Sequence, residues 1–322
     1  MKKIVIAGGS GFLGKLLIQY FMNRDYRLTV LSRKKYQDQN NLKFVEWDGY
    51  HKGDWVEELS DADVLINLCG FSVNCRYNDT NKQAIYDSRL DSTLLLGEVL
   101  ESLDYGPTLW LNASSATIYR HSYVPMDENA PHGEGFSVDV CEQWENAFYQ
   151  YKNTGARQIA LRMAMVFDAQ EGGAYDHMKE AVRLGFGGGL GQGSQYVSWI
   201  HGHDFCRAIE FLIKNVELEG DVNISSPFPI INREMMAIVA EHQSHVLSMK
   251  CPEWLLSIGS FIKQTEKELV VKSRCVIPKK LNKAGFKFHY PRMSDAANEI
   301  ASRQKAGVDN IYGKIERWVI SK

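Results

Sequence analysis

Short apolar runs alternate with longer stretches of helical periodicity through the first half of the chain. Ile4-Val5-Ile6 opens the series, and strand-like segments fall at residues 2–7, 27–32, 42–46, 63–68, 108–113 and 157–162. Between them, apolar residues recur at helical spacing, most clearly over 12–23, 79–104 and 137–153. Strand alternating with helix predicts an α/β fold: a doubly wound parallel sheet of the Rossmann type, with helices on both faces.

The pattern changes after Phe167. A glycine-dense stretch from Gly185 to Gly193 leads into Tyr196 to His201, and beyond Asn223 the chain reads as largely helical, punctuated by prolines. The glycine stretch fits a surface loop or, beside aromatics and a strand, a pocket wall. The expected organisation is a Rossmann domain over 1–167, to which 203–224 return as a helix and a strand. A smaller, mostly helical C-terminal substrate lobe would comprise 168–202 and 225–322.

The first strand leads directly into A-G-G-S-G-F-L-G at residues 7–14. Glycines at 8, 11 and 14 let a chain turn tightly, bring its backbone close to a pyrophosphate and pack the following helix on the sheet. The phosphates would sit on the helix N-terminus. An ordinary strand-to-helix turn could use the same glycines, but here strand, helix and second strand follow in the order a dinucleotide site needs.

The second strand ends in Ser32-Arg33-Lys34-Lys35, with no carboxylate where an NAD site usually places one to meet the ribose hydroxyls. The guanidinium of Arg33 can form a fork with phosphate oxygens, so NADP(H) is the expected cofactor. A solvated basic loop is the plainer alternative.

A length of 322 residues and 44% hydrophobic content allow a sizeable core, and a net charge of −2 gives no general attraction to nucleic acid or anionic membrane. No apolar run approaches the roughly 20 residues of a bilayer span. Lys2-Lys3 before Ile4 to Ala7 is too short for a signal peptide. Six scattered cysteines without a C-x-x-C pair suit reduced thiols and a cytoplasmic location. His201-x-His203-Asp204 and His242-x-x-His245 lack convincing further ligands, so no metal is expected. The expected partners are a small-molecule substrate and, for assembly, a homodimer, with no nucleic acid and no membrane.

Further segments carry a resemblance. These are A-D-V-L-I-N-L-C-G at 62–70, Y-D-S-R-L-D-S-T at 86–93, A-S-S-A-T-I-Y at 113–119, C-E-Q-W-E at 141–145, and G-F-G-G-G-L-G-Q-G-S-Q-Y-V-S-W-I-H at 185–201. S-P-F-P-I-I-N-R-E at 226–234 and P-K-K-L-N-K-A-G-F-K-F at 278–288 complete the set. Over nearly its whole length the chain resembles the epimerase-like atypical branch of the extended short-chain dehydrogenase/reductase superfamily, which has a small C-terminal domain. The resemblance implies a pyrophosphate loop of Gly8, Ser10, Gly11, Phe12, Leu13 and Gly14, a 2′-phosphate contact at Arg33, and an adenine-side acid at Asp48. It implies that Leu68, Cys69 and Gly70 line the adenosine and that Ser115 is the active-site serine. It also implies that Asn232 and Arg233 bring the C-terminal domain toward the cleft.

The departures matter as much. Typical members use a Y-x-x-x-K pair, whose lysine lowers the tyrosine pKa. Aligned through Glu145, this chain carries Ser137 at the tyrosine position and Cys141 at the lysine position, and neither replaces the pair. Cys141 reads best as a helix-packing residue. Tyr119, four residues past Ser115, is the remaining proton donor, with an expected pKa near 10 in the absence of a cation, or else an aromatic wall of the pocket. His201 is another candidate, as an imidazole that follows the glycine-dense segment, but it belongs to an H-x-x-D motif that often opens a structural helix in this superfamily.

Lys82 and Arg89 lie seven residues apart on one face of the long helix, and Arg89 falls where extended members usually carry an asparagine facing the active site. A cationic face there suits an anionic substrate, unless it is simply solvated or partly neutralised by Asp87 and Asp91. Two functions follow. One is an NADP(H)-dependent, epimerase-like oxidoreductase acting on a small, anionic or nucleotide-sugar-like substrate, with Ser115 and Tyr119 as catalytic residues and Lys82, Arg89, His201, Asn232 and Arg233 near the substrate. The other is a non-catalytic NADPH-binding sensor or scaffold that has lost the catalytic pair.

Overall fold

The computed structural model describes residues 1–243, 249, 251 and 271–307. Of the histidine pair expected at 242 and 245, His245 lies outside the described residues, as does the end of the C-terminal lobe beyond 307.

Seven parallel strands form one sheet: β1 (Lys2–Ala7), β2 (Tyr26–Ser32), β3 (Leu42–Glu46), β4 (Val64–Asn67), β5 (Leu109–Ser115), β6 (Arg157–Met163) and β10 (Gly220–Ile224). Their order is β10-β6-β5-β4-β1-β2-β3. The strand order therefore reverses beside β1, and an open parallel sheet has its binding crevice at that point, outside the carboxyl ends of the strands.

Alternation along each strand separates two cores. Ile4, Ile6, Val30, Ile66, Leu111 and Leu161 pack with α1 (Phe12–Met22) and α6 (Gly202–Lys214). Val5, Ala7, Leu65, Trp110 and Ala160 face the other way, toward α3 (Asp79–Ser102) and α4 (Phe136–Tyr149), between which Trp110 and Phe148 meet edge to face. Residues expected to return from 203–224 supply α6 and β10, and β10 pairs with β6 from Gly220↔Ile159 to Ile224↔Met163.

The C-terminal side has its own core. α5 (Ala174–Arg183), α7 (Asn232–Glu241) and α9 (Met293–Lys305) enclose Tyr175, Trp199, Met235, Val239, Ala297 and Ile300, with α8 (Lys279–Lys283) beneath β10. Two small sheets attach it: β7 (Met165–Phe167) beside β9 (Trp199–His201), and β8 (Tyr196–Val197) beside β11 (Ile230–Ile231). The short α2 (Glu57–Ser60) precedes β4. Element bounds shift from the expected ones mainly at tertiary contacts: β5 runs on to Ser115, because pairing with β6 continues through Ser115↔Met163.

Candidate active site

The turn after β1 is held by its backbone. Gly8 has φ +75°, a conformation that suits glycine, and a Cβ there would lie 2.9 Å from the backbone of Leu68 and Cys69. A Cβ on Gly14 would lie 2.3 Å from the Gly9 carbonyl oxygen, so Gly14 lets α1 sit against the turn. Gly11 differs: a Cβ there would approach nothing closer than the Gly8 oxygen at 3.6 Å. Gly11 is also the N-cap of α1, with no side chain capping the helix and no acidic residue in its first turn. Free first-turn amides facing open space are what an anionic group needs.

The loop after β4 is fixed from below. The Asn67 amide donates to Asn112 Oδ1 (2.8 Å) and Thr93 Oγ1 (3.1 Å), and its carbonyl oxygen accepts from the Cys69 N–H (3.1 Å). Trp144 Nε1 donates to the same Thr93 hydroxyl (3.0 Å). Leu68-Cys69-Gly70 is thereby tied to β5, α3 and α4. Burial pushes the Cys69 thiol up to about 12, against the opposing effects of a hydrogen bond with Ser92 and of the Arg33 charge. The Arg33 side chain is exposed just past β2. Asp48 serves its own turn: its carboxylate accepts from the Tyr50 and His51 N–H groups and meets His51 Nδ1 (2.6 Å), which holds it well below the usual carboxylate range.

At the end of β5, Ser115 Oγ accepts from the Thr117 N–H (3.2 Å) and the Thr117 hydroxyl (3.0 Å). Thr117 Oγ1 is also 3.4 Å from Cys141 Sγ, a pair in which either atom can donate. Both acceptor positions on Ser115 are filled, and its hydroxyl hydrogen is left to point elsewhere. Burial pushes the Cys141 thiol up to about 11, consistent with a protonated thiol. Thr117 was not singled out from the sequence, although its place two residues after Ser115 is the spacing of a local hydroxyl turn. Ser137, at the usual tyrosine position, is buried and its hydroxyl has no partner among the described residues.

Three expected site residues fall elsewhere. Tyr119 is 1% exposed; its hydroxyl donates to Asn223 Oδ1 (2.7 Å) and accepts from Arg162 Nη1 (3.1 Å). A cation is therefore present, yet burial outweighs it and the phenol is pushed up to about 12 rather than staying near 10. Arg162 is itself held by Glu145 (2.7 Å) and Asp221 (2.8 Å), so Tyr119 belongs to a buried network under β6 and β10 and does not reach the cleft. His201 is also fully buried. Its Nδ1 caps α6 by accepting from the His203 N–H (3.1 Å), Nε2 meets Glu299 (2.9 Å), and Arg303 joins Glu299 to Asp168. That is the structural helix start, and no substrate contact is left to His201. Asn232 is buried as well, its side-chain oxygen accepting from the Leu190 N–H (2.7 Å); it anchors the glycine-dense loop to α7, with the exposed Arg233 beside it.

On α3, Lys82 lies 5.5 Å from the centre of the Phe136 ring. Arg89 is half-buried, its Nη1 donating to the Phe71 carbonyl (3.1 Å) and the Ile85 carbonyl (3.0 Å), its Cζ 5.1 Å from the centre of the Trp144 ring. Among the described residues no group of three or more His, Cys, Asp or Glu is arranged to hold a metal ion, and no helix is long and apolar enough to cross a membrane.

A reversing parallel sheet with a glycine-built turn at its switch point and a serine at the end of β5 defines a Rossmann-fold protein of the extended short-chain dehydrogenase/reductase type. The chain belongs to the NAD dependent epimerase/dehydratase family, whose model matches residues 4–225; a domain of unknown function, DUF1731, matches 251–300. Relatives include an epimerase family protein of Staphylococcus haemolyticus, 31% identical over 306 residues that cover 93% of this chain and 99% of the relative. Another, from Staphylococcus epidermidis, is 30% identical over 312 residues. The fold is also that of the human epimerase family protein SDR39U1, crystallised with NADPH (TM-score 0.81, 24% identity, 93% of this chain and 99% of that one). It is likewise shared with a UDP-N-acetylglucosamine 4-epimerase of Methanobrevibacter ruminantium (TM-score 0.75, 16% identity, 95% of this chain and 99% of that one).

Proposed function

We propose that the protein is an NADP(H)-dependent oxidoreductase in which Ser115 holds the reacting oxygen of a small carbonyl or hydroxyl compound. The observation that carries this reading is Ser115 at the end of β5, its oxygen held by the Thr117 N–H and hydroxyl, with Cys141 in contact with Thr117 from α4. The uncapped first turn of α1 and the open space before Gly11 fit a pyrophosphate, and Arg33 fits a 2′-phosphate. The NADPH in the human structure supports the same choice of cofactor. The scattered cysteines suit a cytoplasmic setting.

NADPH bound there would supply a hydride to the carbonyl carbon. The chain's part is to orient and polarise the oxygen with Ser115, while a proton from water completes the alcohol. Tyr119 has no part in this, because its phenol is buried against Asn223 and Arg162. Ser115→Ala should slow single-turnover oxidation of NADPH by about 10²-fold, the scale of a lost polarising donor, and leave cofactor affinity unchanged. The absence of a tyrosine and lysine pair favours the second reading, a non-catalytic NADPH-binding protein. That reading stands if no carbonyl compound in a broad screen oxidises bound NADPH in the parent protein.

A further inference from the structure

Arg89 is a cation with no counter-ion among the described residues. Its Nη1 is taken by two backbone carbonyls, and the guanidinium lies flat under Gly70, where a Cβ would sit 3.2 to 3.4 Å from Cζ, Nη2 and Nη1 alike. Nε and Nη2 have no acceptor among the described residues. The nearby acids are engaged otherwise. Asp87 accepts from Gln83 (2.6 Å), Asp139 from Tyr86 and Gln143, and the Asp91 carboxyl is raised by burial and by Asp87, with no cation holding it down. Burial lowers the Arg89 pKa from its ordinary value, and the groups that bear on it besides are Cys141, Tyr77 and Cys75, with no carboxylate among them. A guanidinium taken partly out of water without an anion is costly, which points to an anion supplied from outside.

Two further observations locate that anion. Cys141, which feels both Arg89 and Arg274, is the thiol that meets Thr117 and so connects Arg89 to the Ser115 hydroxyl. One turn earlier on the same face of α4, the buried Ser137 hydroxyl has no partner among the described residues. With Nη1 fixed by its two carbonyls, the guanidinium plane is set, and its remaining Nε and Nη2 edge offers two parallel N–H groups. That edge matches the two oxygens of a planar carboxylate. We propose that the substrate is a compact oxo- or hydroxycarboxylic acid whose carboxylate seats on Arg89 while its reacting oxygen meets Ser115. The proposal rests on the oxidoreductase reading and names the substrate class of the same site.

The test uses full-length protein loaded with NADPH, titrated with pyruvate, acetoacetate and levulinate, with their methyl esters, and with inorganic phosphate. Binding is followed by calorimetry and by tryptophan fluorescence, since Trp144 lies beside Arg89. At least one acid should bind about tenfold more tightly than its ester, the scale of a charge-assisted fork. Arg89→Met should abolish that difference, and Arg89→Lys, which keeps the charge but not the fork, should retain part of it. Circular dichroism and unchanged NADPH affinity show that each variant is folded. Esters binding as well as acids, no acid binding at all, parent-like affinity in Arg89→Met, or phosphate binding more tightly than every acid would each overturn the assignment. Acid binding that depends on Arg89 without any NADPH oxidation would remove the oxidoreductase reading and leave the carboxylate seat in place.

Discussion

Two turns leave the sheet at the same edge and are built by opposite means. The turn after β1 is made of backbone: it works through missing Cβ atoms at Gly8 and Gly14 and through α1 amides that no side chain caps. The turn after β5 is made of side chains, with Ser115 oriented by Thr117, Thr117 by Cys141 from α4, and Tyr119 drawn inward by Asn223 from β10 and Arg162 from β6. A backbone site is written in adjacent residues. A side-chain site depends on which distant strand or helix arrives to cover it.

The largest effect that should separate the two comes from the glycines. Gly14→Ala puts a methyl group 2.3 to 2.5 Å from three backbone atoms of Gly9, which cannot swing away as a side chain would. We expect a loss of about 3 kcal/mol in unfolding free energy, read from chemical denaturation, because overpacking of this kind forces the helix off the sheet. Gly11→Ala should keep parent stability, since its Cβ meets only the Gly8 oxygen at 3.6 Å, yet lose NADPH binding in calorimetry. Full cofactor affinity in a folded Gly11→Ala variant would move the phosphates away from this turn and erase the contrast.

A middle-sized effect tests the other end of the cofactor site. NADPH should bind at least tenfold more tightly than NADH, a difference of about 1.4 kcal/mol, with Arg33→Ala removing it. The Arg33 side chain is exposed, so its replacement should leave thermal stability unchanged. An equal preference in parent and variant would return Arg33 to an ordinary solvated loop.

This contrast also explains what could be read from the residues in order. The parallel sheet and its helices are legible from periodicity, because burial on both sheet faces forces that pattern locally. The glycine turn was legible for the same reason. Tyr119 reads as a cleft residue because it follows a strand end, and His201 because it follows the glycine-dense segment, which are statements about the chain and not about the side chains. Nothing near Tyr119 announces Asn223, 104 residues away, or the Arg162 and Glu145 pair. Nothing near His201 announces Glu299, 98 residues away. Arg89 is legible by position, but that it lacks a counter-ion among the described residues depends on Asp87 being engaged with Gln83 and Asp139 with Tyr86.

The smallest effect bears most directly on how the second turn works. Tyr119→Phe removes the hydrogen bonds to Asn223 and Arg162, and should cost about 1 kcal/mol at neutral pH. Its pH dependence is more telling. The phenol titrates near 10 in the unfolded chain and is pushed up to about 12 when buried, so the unfolded state loses its proton first. The stabilisation is therefore fully present below pH 10 and is lost as pH rises toward 12, at about 1.4 kcal/mol per pH unit for this one group. Other buried tyrosines lower the stability of both proteins alike; the parent alone carries the Tyr119 share. Denaturation curves should show the parent ahead at neutral pH, with the two crossing at about pH 11. Turnover between pH 7 and 9 should be the same in both, since the phenol is neutral there and faces away from Ser115. An alkaline rise in rate that disappears in Tyr119→Phe would place the phenol at the reacting oxygen and make the second turn a catalytic tyrosine site after all.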